Sequence, residues 1–453
     1  MADCTTTSDC RARRRRSSLP SDPFDVGLLS PVTAGHDAAV SDDAVVDALV
    51  VAEVALVRAL ASLGAVDGTV ADAVADALRG YGVDAAELAA AAPGGGNPVI
   101  PLVGLLRARV PADARAWVHR GATSQDVLDT ALMLVARDAA DAVLGQLRAT
   151  AEALTVGART HRDVVAAART LTQHAVPTTV GARLAGWVRG VDRAAVRLEA
   201  ARDALPAQLG GAAGTLAASV DEFGVGFAAA LPAAYAAELG LAAPDAPWHT
   251  ARWPITELGD ALVQALDALG VIAADVATLS RPEIGELAEG SGGGSSAMPQ
   301  KANPAESVLI RSAALRAPQL GATLHLAAAT AVDERPDGAW HAEWPTLREL
   351  LRLALGASAH AAHLAAELRL DPAAVRRNLE LSGGRILAER LARVLVPRIG
   401  AERFAELLTG DAPLADRIRE LPEAADLDVE GLLDPAGYTG LAPGFVDELG
   451  GDS

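Results

Sequence analysis

The segment Ser291-Gly292-Gly293-Gly294-Ser295-Ser296-Ala297-Met298-Pro299-Gln300-Lys301-Ala302-Asn303-Pro304 gathers the residue types that proton chemistry beside an anion requires. Three consecutive glycines permit positive φ, so successive N–H groups can converge on a negative charge. Ser295 and Ser296 offer hydroxyls, Lys301 a compact charge and Asn303 two amide donors. A plain linker would continue in Gly and Ser, whereas this one passes into a proline-stiffened run; its glycines read as the hinge of a lid over bound substrate. Lys and Arg total 39, and Lys301 is the single lysine. Where arginine serves every other positive position, a retained lysine points to a need for a small ammonium that the planar guanidinium fork does not meet. A chance survivor is the alternative.

Three other stretches carry candidate groups. Thr123-Ser124-Gln125-Asp126 alone reads as a helix cap with Asp126 in the first turn. A helix N-terminus is also an anion site, so capping and binding are compatible there. Arg169-Thr170-Leu171-Thr172-Gln173-His174 sets polar side chains around a leucine. Arg335 suits a carboxylate by bidentate pairing, or else forms a rim ion pair with Asp333, Glu334 or Asp337.

The run from Gly294 to Pro304 resembles the fumarase/aspartase superfamily signature Gly-Ser-Ser-x-Met-Pro-x-Lys-x-Asn-Pro and matches it at every fixed position. Val118 to Asp126 resembles the first signature segment, His-x-Gly-x-Thr-Ser-x-Asp, and Arg169 to Thr179 the second, Gly-Arg-Thr-His-x-Gln-x-Ala-x-Pro. The resemblance implies that Ser295 exchanges the proton on the carbon beside a carboxylate, with Ser296 as its neighbour in the pair. It implies that Lys301, Asn303 and His119 share the catalytic work, and that Thr123, Ser124, Thr170, Gln173 and Arg335 hold substrate. Arg120 is a further candidate cation. A serine hydroxyl is a weak base, so preorganised positive charge must stabilise both it and the aci-carboxylate that develops on the substrate.

Two departures matter. The acid/base histidine of the second segment is Leu171 here, which disfavours amine and water leaving groups and favours the cycloisomerase branch; His174, three residues on, either substitutes for it or is structural. Gly27 to Val32, Gly96 to Pro101 and Asp333 to Pro345 also resemble that branch. Gln300-Lys301-Ala302 stands where His-Lys-Arg is frequent, which leaves the number of substrate carboxylates open. The resemblance therefore implies lactonisation of 3-carboxy-cis,cis-muconate, with elimination from a substituted succinate to give fumarate as the rival and a non-catalytic structural relative as a third reading. It implies a small di- or tricarboxylate substrate, no metal or organic cofactor, and a homotetramer whose active sites draw on three subunits.

Positioning these groups falls to helices. Hydrophobic residues make up 51% of the 453-residue chain and aromatics 3%, a mixture of Ala, Leu and Val that favours helix over strand. Ser41 to Leu63 reads as one capped helix, and 115–290 and 304–368 as long bundle helices with a loop at Gly210, Gly211 and Gly214. An all-α fold in three parts is expected: a disordered tail over 1–20, an N-terminal helical domain over 21–112, a central long-helix bundle over 113–368 and a C-terminal helical domain over 369–453. The net charge of -19 argues against nucleic acid and anionic membrane surfaces as partners. Cys4 and Cys10 form no disulfide framework, the arginines at 11 and 13–16 precede no apolar signal core, and no uninterrupted apolar run reaches the ~18 residues of a membrane span. A soluble cytoplasmic protein is the expectation. Replacing Lys301 by Arg is expected to abolish most activity without lowering the melting temperature; near-normal turnover of Lys301→Arg would remove the inference from the solitary lysine.

Overall fold

The structure is a computed structural model that describes residues 25–290, 292–294 and 297–450. The arginine-rich tail, both cysteines, Ser295 and Ser296 lie outside the described residues.

Among the described residues six helices exceed 20 residues: α1 (Asp42–Ser62), α2 (Ser124–Thr160), α3 (Val180–Asp203), α4 (Trp253–Leu279), α5 (Ala305–Ala329) and α6 (Gly338–Glu367). Helix α1 starts where the Ser41 hydroxyl accepts the Ala44 N–H at 3.2 Å, and it stops before Gly64, which takes the positive φ that a side chain resists. Helices α2 to α6 form a bundle in which α5 packs on α4 and α6, α2 on α3 and α6, and α3 on α4, while α1 lies along α2. Alanines at 131, 136, 139 and 140 in α2 are fully buried and let neighbouring backbones approach closely. Each leucine wholly withdrawn from water, such as Leu102, Leu144 or Leu258, contributes roughly 1.5–3 kcal/mol of transfer free energy. One hydrophobic core joins the bundle to residues 46–118; a second, from Ile386 to Val429, packs on Ala167.

The expected helical run from Arg115 to Gly290 is broken by an antiparallel hairpin, β1 (Val165–Thr170) with β2 (Gln173–Thr179). Pro177 has no N–H for a helix and Val164, Val165, Val176, Thr178 and Thr179 are β-branched, which favours strand. Leu171 and Thr172 form the two-residue turn, both at positive φ (47° and 71°). His174 is therefore not one helical turn from Leu171: it lies on β2 opposite Arg169, while Leu171 is at the hairpin tip and 96% exposed. A second short pairing, β3 (Leu287–Ala288) with β4 (Arg369–Leu370), leads into the signature segment.

By length and composition α4 would cross a membrane, with a mean hydropathy of 1.6 over its most apolar window. Here it packs against α3, α5 and α6, and Glu257, Asp260, Asp267 and Asp275 interrupt its apolar sequence.

Three bundle helices meet at a buried charge cluster. Arg252, just before α4, donates to Asp129 of α2 at 2.7 and 3.0 Å and to Glu343 of α6 at 2.7 Å, and all three side chains are out of water. The Trp340 indole donates to Asp129 at 2.9 Å, and the guanidinium lies 4.7 Å from the Trp248 ring. One cation faces two carboxylates. Burial therefore pushes the Glu343 carboxyl up, and Asp129 adds to that against the pull of Arg252. Arg252→Leu strands both carboxylates and is expected to lower unfolding free energy by about 3–5 kcal/mol in urea titrations. A loss below about 1 kcal/mol would show that the cluster contributes no net stability.

Candidate active site

The first functional segment is built around Asp126, which is fully buried at the start of α2. Its carboxylate accepts the N–H groups of Thr123, Gly210 and Gly211, each at 2.9 Å, and the His249 Nε2 at 2.7 Å. Four donors occupy one carboxylate, as an acceptor with about four lone-pair sites allows. The helix cap, the glycine loop and the 249 segment are thereby fixed to one another. Gly211 adopts φ +69°, and a Cβ there would come within 3.0 Å of the Gly121 carbonyl, so the loop can follow the end of α2 this closely only with glycine.

Arg335 reaches onto this platform. Its guanidinium donates to the Thr123 hydroxyl at 2.5 Å and to the Ala212 carbonyl at 2.8 Å, and among the described residues it pairs with none of Asp333, Glu334 or Asp337. Thr123, Ser124 at the first position of α2, and Arg335 thus collect a hydroxyl pair, a guanidinium and the positive end of a long helix dipole, a carboxylate-binding combination. His119, four residues before Thr123, takes φ +60° and is held by buried Glu53, which accepts its backbone N–H at 2.9 Å and faces its Nδ1 at 2.6 Å. Arg120 turns away: it forks onto Glu222 and lies 4.7 Å from the Trp117 ring, so its charge is already matched.

The second segment is the hairpin tip. Thr170 and Gln173 pair across the turn and are exposed, and the Gln173 amide donates to the Thr172 hydroxyl at 3.4 Å. The hairpin root is anchored by buried Glu286, which accepts from Arg169, Arg183 (3.4 Å) and the Asn378 amide (2.9 Å). Burial alone would push the Glu286 carboxyl up; the hydrogen bonds from Arg169 and Asn378 outweigh it and hold the group below the ordinary carboxylate range.

The third segment carries Lys301 and Asn303. Gly293 and Asn303 exchange backbone hydrogen bonds at 2.7 and 2.8 Å, and the Asn303 side chain donates to the Gly294 carbonyl at 3.0 Å. Asn303 thus spends an amide donor on holding the segment's own shape. Lys301 is exposed, and its ammonium has no partner among the described residues. Just before the segment, Glu289 accepts from the N–H groups of Glu306 and Ser307 and caps α5.

Within one chain Thr123, Ser124 and Arg335 come together, and His119 is held by Glu53 four residues before Thr123. The hairpin tip and the Lys301 segment are carried on other elements, and no hydrogen bond or ion pair among the described residues joins the three groups. Residue types alone did not single out Glu53, His249 or Glu289. A lone acidic or imidazole side chain in an apolar stretch carries no spacing signal, and burial beside a backbone donor is what reveals it.

A family model described as lyase matches residues 37–318. The nitrosuccinate lyase of Streptomyces davaonensis is 47% identical over 450 residues, covering 94% of this chain and 95% of that one. The 3-carboxy-cis,cis-muconate cycloisomerase of Bradyrhizobium diazoefficiens is 38% identical, with coverages of 93% and 97%. Among solved structures, the 3-carboxy-cis,cis-muconate lactonizing enzyme of Pseudomonas putida superposes with a TM-score of 0.82 at 36% identity, over 90% of this chain and 94% of that one.

Arg335→Lys removes the planar fork and keeps the charge, so it is expected to raise KM for a dicarboxylate roughly tenfold with a smaller change in kcat. An unchanged KM would place Arg335 outside the substrate site.

Proposed function

The chain belongs to the fumarase/aspartase superfamily of lyases, and from that premise we propose that it eliminates an anionic leaving group from a substituted succinate, nitrosuccinate first among them, to give fumarate. The observation that carries the anionic leaving group is Leu171. An amine or hydroxide leaving group needs a proton from a general acid, and an exposed leucine at the hairpin tip supplies none. Nitrite, the conjugate base of an acid far stronger than ammonium or water, departs as an anion without one. Ala302 agrees with this choice, since a succinate presents two carboxylates and needs one guanidinium fewer than a tricarboxylate. The most similar relative named above is itself a nitrosuccinate lyase.

In this reading the end of α2, Thr123, Ser124 and Arg335 grip one carboxylate. Ser295 takes the proton from C3, beside the other carboxylate, and Lys301 stabilises the charge that spreads into the aci-carboxylate. The electron pair of that C–H bond becomes the C2–C3 double bond as the C2–N bond breaks. Nitrosuccinate thus gives fumarate, nitrite and one proton, which passes from Ser295 to water. A homotetramer would unite the three segments, which no hydrogen bond or ion pair among the described residues joins within one chain. Exposed Val196, Val271, Leu315 and Leu326 on α3, α4 and α5 supply apolar surface for such helix-to-helix assembly.

Lactonisation of 3-carboxy-cis,cis-muconate is the second reading, favoured by the cycloisomerase relatives and by the same leucine, because its attacking group is a carboxylate already ionised near neutral pH. Incubating the purified chain with each compound separates the two. Equimolar nitrite and fumarate from nitrosuccinate, with the muconate absorbance unchanged, is the expected result. Loss of muconate absorbance without nitrite release overturns the elimination reading in favour of the second, and turnover of argininosuccinate or adenylosuccinate would contradict both.

A further inference from the structure

Three carboxylates surround the two stems of the segment that carries Lys301. Glu289 on the entering stem accepts from the Glu306 N–H (3.2 Å), the Ser307 N–H (2.8 Å) and the Ser307 hydroxyl (2.6 Å), so it ties the stems together. Glu367, at the end of α6, lies against Gly290, where a Cβ would approach its Cβ to 2.7 Å and its Oε2 to 2.8 Å. Glu306, on the leaving stem, turns its carboxylate to α6: Oε1 is 2.7 Å from His363 Nδ1 and 3.9 Å from His360 Nδ1. His36, in the turn ahead of α1, packs edge-on against His360 at 5.3 Å. Among the described residues no lysine or arginine pairs with these carboxylates, and no cluster has the makings of a metal site. The basic side chains placed to balance them are the imidazoles of His363 and His360.

We propose that Glu306 is a positioning residue: paired with His363, it docks the stem bearing Lys301 and Asn303 against α6 for as long as the pair retains one proton. Without that proton part-buried Glu306 faces the Glu289 and Glu367 carboxylates with no cation to offset its charge, while Glu289 keeps its N–H and hydroxyl donors. Burial pushes the Glu306 carboxyl up against the pull of His363, and Glu289 and Glu367 push it the same way. A group whose proton is held more tightly when docked favours docking below its raised pKa, and that support is lost as pH rises through it. At the acid end, charging His360 opposes docking, because burial pushes that imidazole down and His36 and His363 repel its charged form. Docking is strongest between these limits. The consequence for turnover rests on the proposed catalytic role of the segment; the docking itself does not.

The single, exposed lysine makes the test specific, because a lysine-specific endoprotease cuts the full-length chain only after Lys301. Cleavage of the wild type is compared with Glu306→Gln and His363→Gln from about pH 6 to pH 9, each variant serving as the control for the protease's own pH dependence. Over that range wild-type cleavage should accelerate about three- to tenfold relative to Glu306→Gln, as the undocked population grows. The alkaline limb of kcat, rather than KM, should flatten in the same variant. A ratio that does not change with pH overturns the inference. A rising cleavage ratio with identical kcat profiles keeps Glu306 as the docking group and overturns the catalytic reading of the segment instead.

Discussion

The candidate site depends on one buried carboxylate with four donors. Asp126 cannot leave water cheaply unless every lone pair is used, and the Thr123, Gly210, Gly211 and His249 donors use them. The requirement runs both ways: each of those groups is fixed because the carboxylate needs it. Arg335 then rests on two atoms whose positions Asp126 sets, the Thr123 hydroxyl and the carbonyl of Ala212 in the glycine loop. The guanidinium and the helix N-terminus, the groups proposed to hold a substrate carboxylate, are thus held in shape by a buried carboxylate beneath them.

The pattern recurs. Glu53 holds His119, Glu286 holds the hairpin root through Arg169 and Arg183, and Glu289 holds the stems of the Lys301 segment, each from a buried or nearly buried position. A chain with a net charge of -19 thus has carboxylates to spare and places several of them where backbone N–H groups and arginines require acceptors. Charge-assisted hydrogen bonds of this kind are stronger and more directional than apolar packing, which suits segments that must be placed to within a fraction of an ångström. Apolar packing does the larger, less directional work: it assembles α2 to α6 and sets the spacing between the anchored pieces.

The helices were legible because their signals are local and periodic. Ser41, Asp42 and Gly64 bracket α1, and Thr123 with Asp126 opens α2 as a cap must. The hairpin is hard to read from sequence because Ala166, Ala167 and Ala168 dilute the strand signal of the β-branched residues around them, and the turn rests on positive φ at Leu171 and Thr172, which neither residue type announces. Arg335 was legible as a carboxylate partner, but its sequence neighbours Asp333, Glu334 and Asp337 offered a competing pairing that only the long-range contact with Thr123 decides. His249 and Glu289 were silent because their roles come from contacts across 123 and 18 residues of sequence.

The dependence of the anion site on Asp126 is tested most directly by the equilibrium affinity of Asp126→Asn for fumarate, measured by titration calorimetry. An amide at this position would put N–H groups against the N–H groups of Gly210, Gly211 or Thr123, displacing the platform under Arg335. The expected result is binding at least about tenfold weaker than wild type, equivalent to about 1.4 kcal/mol. Wild-type affinity in a folded Asp126→Asn protein would contradict it and show that Thr123 and Arg335 keep their places without the carboxylate.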